Sequence, residues 1–133
     1  MNIVLCVGAI LGLISVLAGA YSDHVVNPQN PAQSEHLLIA LRYLQTHAVL
    51  IAALGFSLWC PLPRLIRARL QLSAWIFAAG TTLFSLSLIL AVALELPELL
   101  NITPVGGFLL IFGWISLAWA ALGGYKPVHV TSD

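Results

Sequence analysis

The sequence predicts an all-α integral membrane protein, a four-transmembrane-helix bundle with both termini cytoplasmic. Three observations carry that expectation. First, the 133 residues are 60% hydrophobic and only 8% charged, whereas a soluble domain carries about 25% charged residues. Second, four apolar blocks stand out, Ile3–Ala20, Leu37–Trp59, Leu70–Leu94 and Ile102–Leu122. Each meets the roughly 17–25 residues that a helix needs to cross the hydrocarbon core. Third, none of them shows a sustained two-residue alternation, so a barrel is not expected. Backbone in lipid must satisfy its own hydrogen bonds, which leaves helices. At this length one membrane domain spanning residues 1–133 is expected. Its helices should lie near residues 3–20, 31–59, 64–95 and 103–122.

Each element has its own punctuation. Ala18-Gly19-Ala20 resembles a signal-peptidase site, but Met1-Asn2 places no basic side chain before the apolar run. Helix 1 is therefore expected to stay. It carries Gly8-x-x-x-Gly12, with Gly19 a heptad further on, and such small residues let helix backbones approach closely. Asn30-Pro31-Ala32-Gln33 reads as an N-cap, a proline at the first helical position and a capping-box glutamine. Helix 2 should thus start near Pro31. Pro61 and Pro63 separate helices 2 and 3, and Pro97 ends helix 3 or shapes the turn after it. Thr103-Pro104 repeats the cap-then-proline pattern for helix 4, and Gly123-Gly124 should stop it. Within helix 4, Gly106, Gly113 and Ala120 recur every seven residues and form a smooth packing stripe.

Orientation follows from arginine. Arg64, Arg67 and Arg69 cluster in the loop between helices 2 and 3, so that loop should face the cytoplasm. Both termini follow it, and Lys126 agrees. Tyr21–His36 and the turn Glu95-Leu96-Pro97-Glu98 then face the other side. Cys6 and Cys60 fall near the reducing face, which argues against a disulfide. Trp59 and Trp119 suit a cytoplasmic interfacial belt. No Arg/Ser-rich transit segment precedes helix 1, so the expected location is a bacterial inner membrane, crossed several times. The formal net charge is zero, and no basic surface points to nucleic acid.

Polar groups inside a membrane are expensive, so each is a candidate site. Along helix 2, His36, Tyr43 and His47 share one line, while Glu35, Arg42 and Thr46 share a neighbouring one. Gln45 points elsewhere. Arg42 is shallow enough to snorkel. It reads either as an interfacial anchor paired with Glu35, Asp23 or lipid headgroups, or as an anion or substrate contact. His47 lies about 15 Å below Leu37, near mid-membrane. It should be neutral and hydrogen-bonded to another helix, with Ser85, Ser87, Thr81, Thr82 and Ser116 as candidates, or a group near Asp23 and His24. A structural histidine, a proton relay and a metal ligand are the three roles open to it. His24, His36 and His47, with Asp23 and Glu35, offer imidazoles and carboxylates that zinc or copper could use. Their spacing matches no standard metal motif. A bis-histidine haem is the other cofactor that a four-helix membrane bundle could hold. The hydroxyls of helix 3 can bond to their own helix, and no serine stands in a Gly-x-Ser-x-Gly context.

Four segments, GAYSDH (19–24), RYLQTHAVLIAAL (42–54), LFSLSLIL (83–90) and ITPVGGFLLIFGWISLAWAAL (102–122), together resemble the YgdD family of small four-helix membrane proteins. That family is catalogued as domain of unknown function 423 and is similar to transmembrane protein 256. The family's Tyr-x-x-x-His segment corresponds to Tyr43 and His47, and its Phe-Ser-x-Ser segment to Phe84, Ser85 and Ser87. Its Gly-Ala-Phe-Gly-Ala-His segment corresponds to Gly19–His24, with Ser22 and Asp23 in place of small residues. The resemblance implies a shared constellation of His24, Tyr43, His47 and Ser85 in the non-cytoplasmic half, and implies no activity.

The function expected is therefore that of a non-enzymatic membrane protein without a cofactor. Its polar cluster, His24, Glu35, Arg42, Tyr43, His47 and Ser85, would pack helices and bind a lipid or small ligand. The alternatives are a proton-coupled transporter or channel-like subunit using His47, and a metal- or haem-binding membrane protein. The partners expected are membrane lipid and a second copy or a larger membrane complex.

Overall fold

The computed structural model describes residues 1–25 and 31–123, with the side chains of residues 23–25 outside that description. Four helical spans are long and apolar enough to cross a membrane. The first, α1 (Ile3–Val25), begins at Asn2. The Asn2 side-chain oxygen accepts from the Leu5 amide at 3.1 Å, as an N-cap does. Its amide nitrogen donates across to the Gly55 carbonyl at 2.7 Å, so the same side chain starts α1 and ties it to the next helix. The expected end of this helix at Ala20 is corrected, because α1 runs on to Val25. Tyr21–His24 contain no glycine or proline to break it, and Ser22 donates back to the Gly19 carbonyl at 2.8 Å. Asp23 and His24 thus belong to a helix rather than to a loop.

The second span, α2, covers Pro31–Ser57 and opens on its proline. It ends two residues short of Trp59, in a turn closed by the amides of Trp59 and Cys60 on the carbonyls of Phe56 and Ser57. The third span starts with α3 (Arg64–Thr81). The arginines expected in a loop therefore stand on its first turns. Positive charge is unfavourable at a helix N-terminus, and Arg67 offsets it by donating to the Cys60 carbonyl at 3.0 Å.

The third span is not the uninterrupted helix that was expected. A π-turn, Thr82–Leu86, lies between α3 and α4 (Ser87–Ala93). After Leu94 the chain reverses through Glu95, which takes a left-handed φ of 55°. A short 3-10 turn, Pro97–Asn101, then leads into α5 (Thr103–Ala121). Thr103 makes no capping bond. Its hydroxyl lies 2.8 Å from that of Ser87, joining α5 to α4. The cap reading is thereby corrected: a hydroxyl that could serve its own helix end serves a neighbour instead.

The spans form two antiparallel hairpins, α1 with α2 and α3 with α5. Burial separates centre from edge. Within an apolar 18-residue stretch of each span, 44% and 50% of residues are buried in the second and third, against 22% and 17% in the first and last. The inner pair thus carries the core around Leu44, Ile51 and Phe77, all fully buried. Helix association in lipid rests on close contact rather than on a hydrophobic driving force, and glycines provide that contact. A Cβ on Gly8 would stand 2.6 Å from the Ala52 nitrogen, and one on Gly55 would stand 2.7 Å from Leu5 backbone. In the other hairpin, Gly106 lies on Phe84 backbone and Gly113 against the Phe77 ring. The heptad stripe of the last helix is therefore a packing surface. The Gly8-x-x-x-Gly12 pair is only half used, because Gly12 and Gly19 face open space.

Candidate functional site

The polar stripe of α2 divides between two faces of the helix. One face meets the third and fourth spans. His47, 4% exposed, holds its Nδ1 at 2.8 Å from the Tyr43 carbonyl on its own helix. A carbonyl only accepts, so Nδ1 carries a proton; in the neutral tautomer that this bond selects, Nε2 holds the lone pair. Nε2 is buried and has no partner. The expected hydrogen bond from His47 to another helix is thus corrected. Ser87 is committed to Thr103 and to the Phe84 carbonyl. Ser116 is committed to Ser73 at 2.8 Å.

Aromatic rings surround the imidazole in place of polar partners. Tyr43 stacks on it at 5.8 Å and 11° between planes. Phe77 lies 5.6 Å away and Trp114 6.3 Å away. Phe77 and Trp114 meet edge-on at 5.2 Å, and Tyr43 reaches Phe84 at 4.7 Å. This layer joins α2, α3 and α5 at one depth. Rings in such offset and edge-on arrangements add about 0.5–1.5 kcal/mol per pair beyond their burial. The aromatic sleeve was not foreseen, although the seven-residue steps from Phe77 to Phe84 and from Gly106 to Gly113 were its signal.

The opposite face of α2 meets α1 and carries Arg42. Arg42 is exposed and no described acidic residue pairs with it. Its carbonyl accepts from the Thr46 hydroxyl at 2.8 Å. Its side chain borders an open groove of about 460 Å³, together with Gly19, Ser22, Gln45 and Thr46. At Gln45 this groove meets a second of about 470 Å³, floored by Gly8, Gly12, Ser15 and Ala48. Together they follow the α1–α2 seam along most of the span.

The remaining predicted residues lie apart. Ser85 is fully buried in the π-turn. Glu35 is exposed at the start of α2. His36 lines a separate cleft of about 500 Å³ with Gln33, Glu95 and Leu100. The side chain of His24 lies outside the described residues. His36 and His47 stand eleven residues apart on one helix, roughly 16 Å by the helical rise, so they cannot share one metal ion. Among the described residues no three His, Cys, Asp or Glu side chains are grouped to hold one. At the arginine-rich end, the Arg69 guanidinium lies 3.9 Å over the Trp119 ring and donates to the Trp119 carbonyl at 3.3 Å.

Comparison with known proteins agrees with this architecture. Residues 18–107 match a family described as a protein of unknown function, DUF423. A UPF0382 membrane protein of Haemophilus influenzae is 34% identical over 115 residues, covering 85% of this chain and 88% of that protein. A UPF0382 membrane protein of Staphylococcus aureus is 28% identical over 120 residues, covering 88% and 93%. No solved structure matches the chain. The four apolar spans and the bacterial relatives named as membrane proteins identify a multi-pass protein that fits a bacterial inner membrane. The chain therefore belongs to the DUF423 family of small membrane proteins.

Proposed function

We propose that this is a non-enzymatic membrane protein that holds an anionic phospholipid along the α1–α2 seam, with the His47 layer serving as its packing core. The observation that carries the reading is Arg42, a guanidinium without an acidic partner among the described residues, in the first of two open grooves that share Gln45 along the seam. Guanidinium matches phosphate geometrically and electrostatically. Gln45 and Thr46 add hydrogen-bonding groups beside it, and Gly12, which faces open space, leaves room for an acyl chain. His47 supports the other half of the reading. An imidazole enclosed by three aromatic rings, with its proton held by its own helix, suits a packing element better than a transport route.

The test is lipid retention. The protein is purified in a neutral detergent, offered phosphatidylglycerol or phosphatidylcholine, and examined by native mass spectrometry. Phosphatidylglycerol is expected to be preferred, and Arg42→Gln to reduce that preference about fivefold, since one basic residue near a lipid surface contributes about 1 kcal/mol. Equal retention of the two lipids by the wild type, or an unchanged preference in the variant, would overturn the reading.

A further inference from the structure

Hydroxyls in this bundle follow one habit. Ser15, Ser22, Thr46, Ser57, Ser73 and Ser87 each donate to a carbonyl three or four residues back, at 2.7–3.0 Å. Two buried hydroxyls depart from it. Thr81 and Ser85 are 0% exposed, yet neither Oγ1 of Thr81 nor Oγ of Ser85 has a partner. Thr81 immediately precedes the π-turn and Ser85 lies within it.

A third buried atom without a partner, Nε2 of His47, belongs to α2, which packs against this part of the third span. Ring contacts fix the relative heights. His47 meets Phe77, one turn before Thr81. Tyr43, one turn before His47, meets Phe84, the residue beside Ser85. Thr81 thus lies between the two rings that Tyr43 and His47 touch, and Ser85 directly follows the second of them. The chemistry of the three atoms is complementary. Nε2 can only accept, because Nδ1 holds the proton against the Tyr43 carbonyl. Each hydroxyl has a proton to donate. Buried polar atoms are almost always bonded, to protein or to ordered water.

We propose that Thr81 Oγ1, Ser85 Oγ and His47 Nε2 together bind one water molecule inside the bundle, at the π-turn. The water donates one proton to Nε2 and accepts one hydrogen bond from each hydroxyl. That makes three bonds, the usual number for a buried water. A π-turn interrupts the regular helical ladder and recurs at functional sites. The site lies on the face of α2 opposite the Arg42 groove, so it stands independently of lipid binding.

The experiment is magic-angle-spinning NMR of protein carrying 15N-labelled histidine, reconstituted in phosphatidylcholine vesicles. The wild type should show a neutral His47 ring protonated at Nδ1. Its Nε2 signal should be displaced from the free-imine position by an accepted hydrogen bond. In water-edited spectra, polarisation should pass from water to this ring. Thr81→Val and Ser85→Ala should each weaken that transfer, and the double variant should abolish it and return Nε2 to the free-imine position. A displaced Nε2 without transfer from water would mean a direct hydroxyl-to-imidazole bond and would overturn the proposal. So would a free-imine Nε2 in the wild type, or transfer that survives the double variant. The wild-type spectrum decides the matter even if a variant fails to fold.

Discussion

Gly106 lies so close to Phe84 that a Cβ built on the glycine would stand 2.4 Å from the Phe84 backbone nitrogen. A main-chain atom cannot rotate away as a side-chain tip can. Gly106→Ala should therefore force the α5 axis outward and destabilise the protein by about 1–3 kcal/mol, the usual cost of overpacking. Gly12→Ala is the control, since its new methyl would meet nothing within 4 Å. It should be neutral or slightly stabilising, alanine being the better helix former by about 0.8–1 kcal/mol. Thermal unfolding in detergent compares the two, and equal melting temperatures would refute the packing account.

The Ser87–Thr103 contact makes a second prediction. These hydroxyls, 2.8 Å apart, link α4 to α5. Hydrogen bonds between helices in membranes contribute about 0.6 kcal/mol on average, with a maximum near 1.7. A double-mutant cycle of Ser87→Ala and Thr103→Val should return a coupling energy in that range. Additive effects would mean that the two hydroxyls do not cooperate.

The two faces of α2 should separate in mutagenesis. His47→Ala removes a ring that touches Tyr43, Phe77 and Trp114, and should destabilise by about 2–5 kcal/mol, as buried large-to-small changes do. Arg42→Ala removes an exposed group and should change stability by no more than about 0.5 kcal/mol. Chemical or thermal denaturation gives both numbers, and a large loss for Arg42→Ala would place that residue in the core.

Orientation is open to chemical labelling. Cys60 is exposed in the turn that precedes the arginine-rich start of α3. In a Cys6→Ser background only Cys60 reports. A membrane-impermeant maleimide should label it in inverted inner-membrane vesicles and leave it unlabelled in intact spheroplasts. The reverse pattern would place the arginines outside.

The spans were legible in the sequence because lipid permits so few backbone arrangements: length and apolarity suffice to locate a crossing helix. The glycine stripe of α5 was legible for the same reason, since three small residues seven apart have one obvious use. Contacts between elements were not. A hydroxyl such as Thr103 can cap a helix or cross to a neighbour with the same chemistry, and only the position of Ser87 decides between them. Helical angles put His47 and Arg42 on adjoining lines, but not which line α1 would cover. No residue type announces the π-turn at Thr82–Leu86, so the most unusual stretch of backbone was silent.

That turn also changes what an insertion or deletion would mean in this protein. One residue of α-helix is about 100° of rotation. Removing a single residue between Thr82 and Leu86 would let the i→i+5 turn close as ordinary α-helix and leave Ser87 aimed at Thr103, whereas the same deletion in α3 would swing it about a quarter-turn away. The third span is in effect two facets with a swivel between them. Below the swivel, Phe77 is aimed at Gly113, and above it Ser87 is aimed at Thr103. Each facet can accumulate substitutions without re-aiming the other, and loss of one residue is absorbed at the swivel rather than passed on to what lies beyond it.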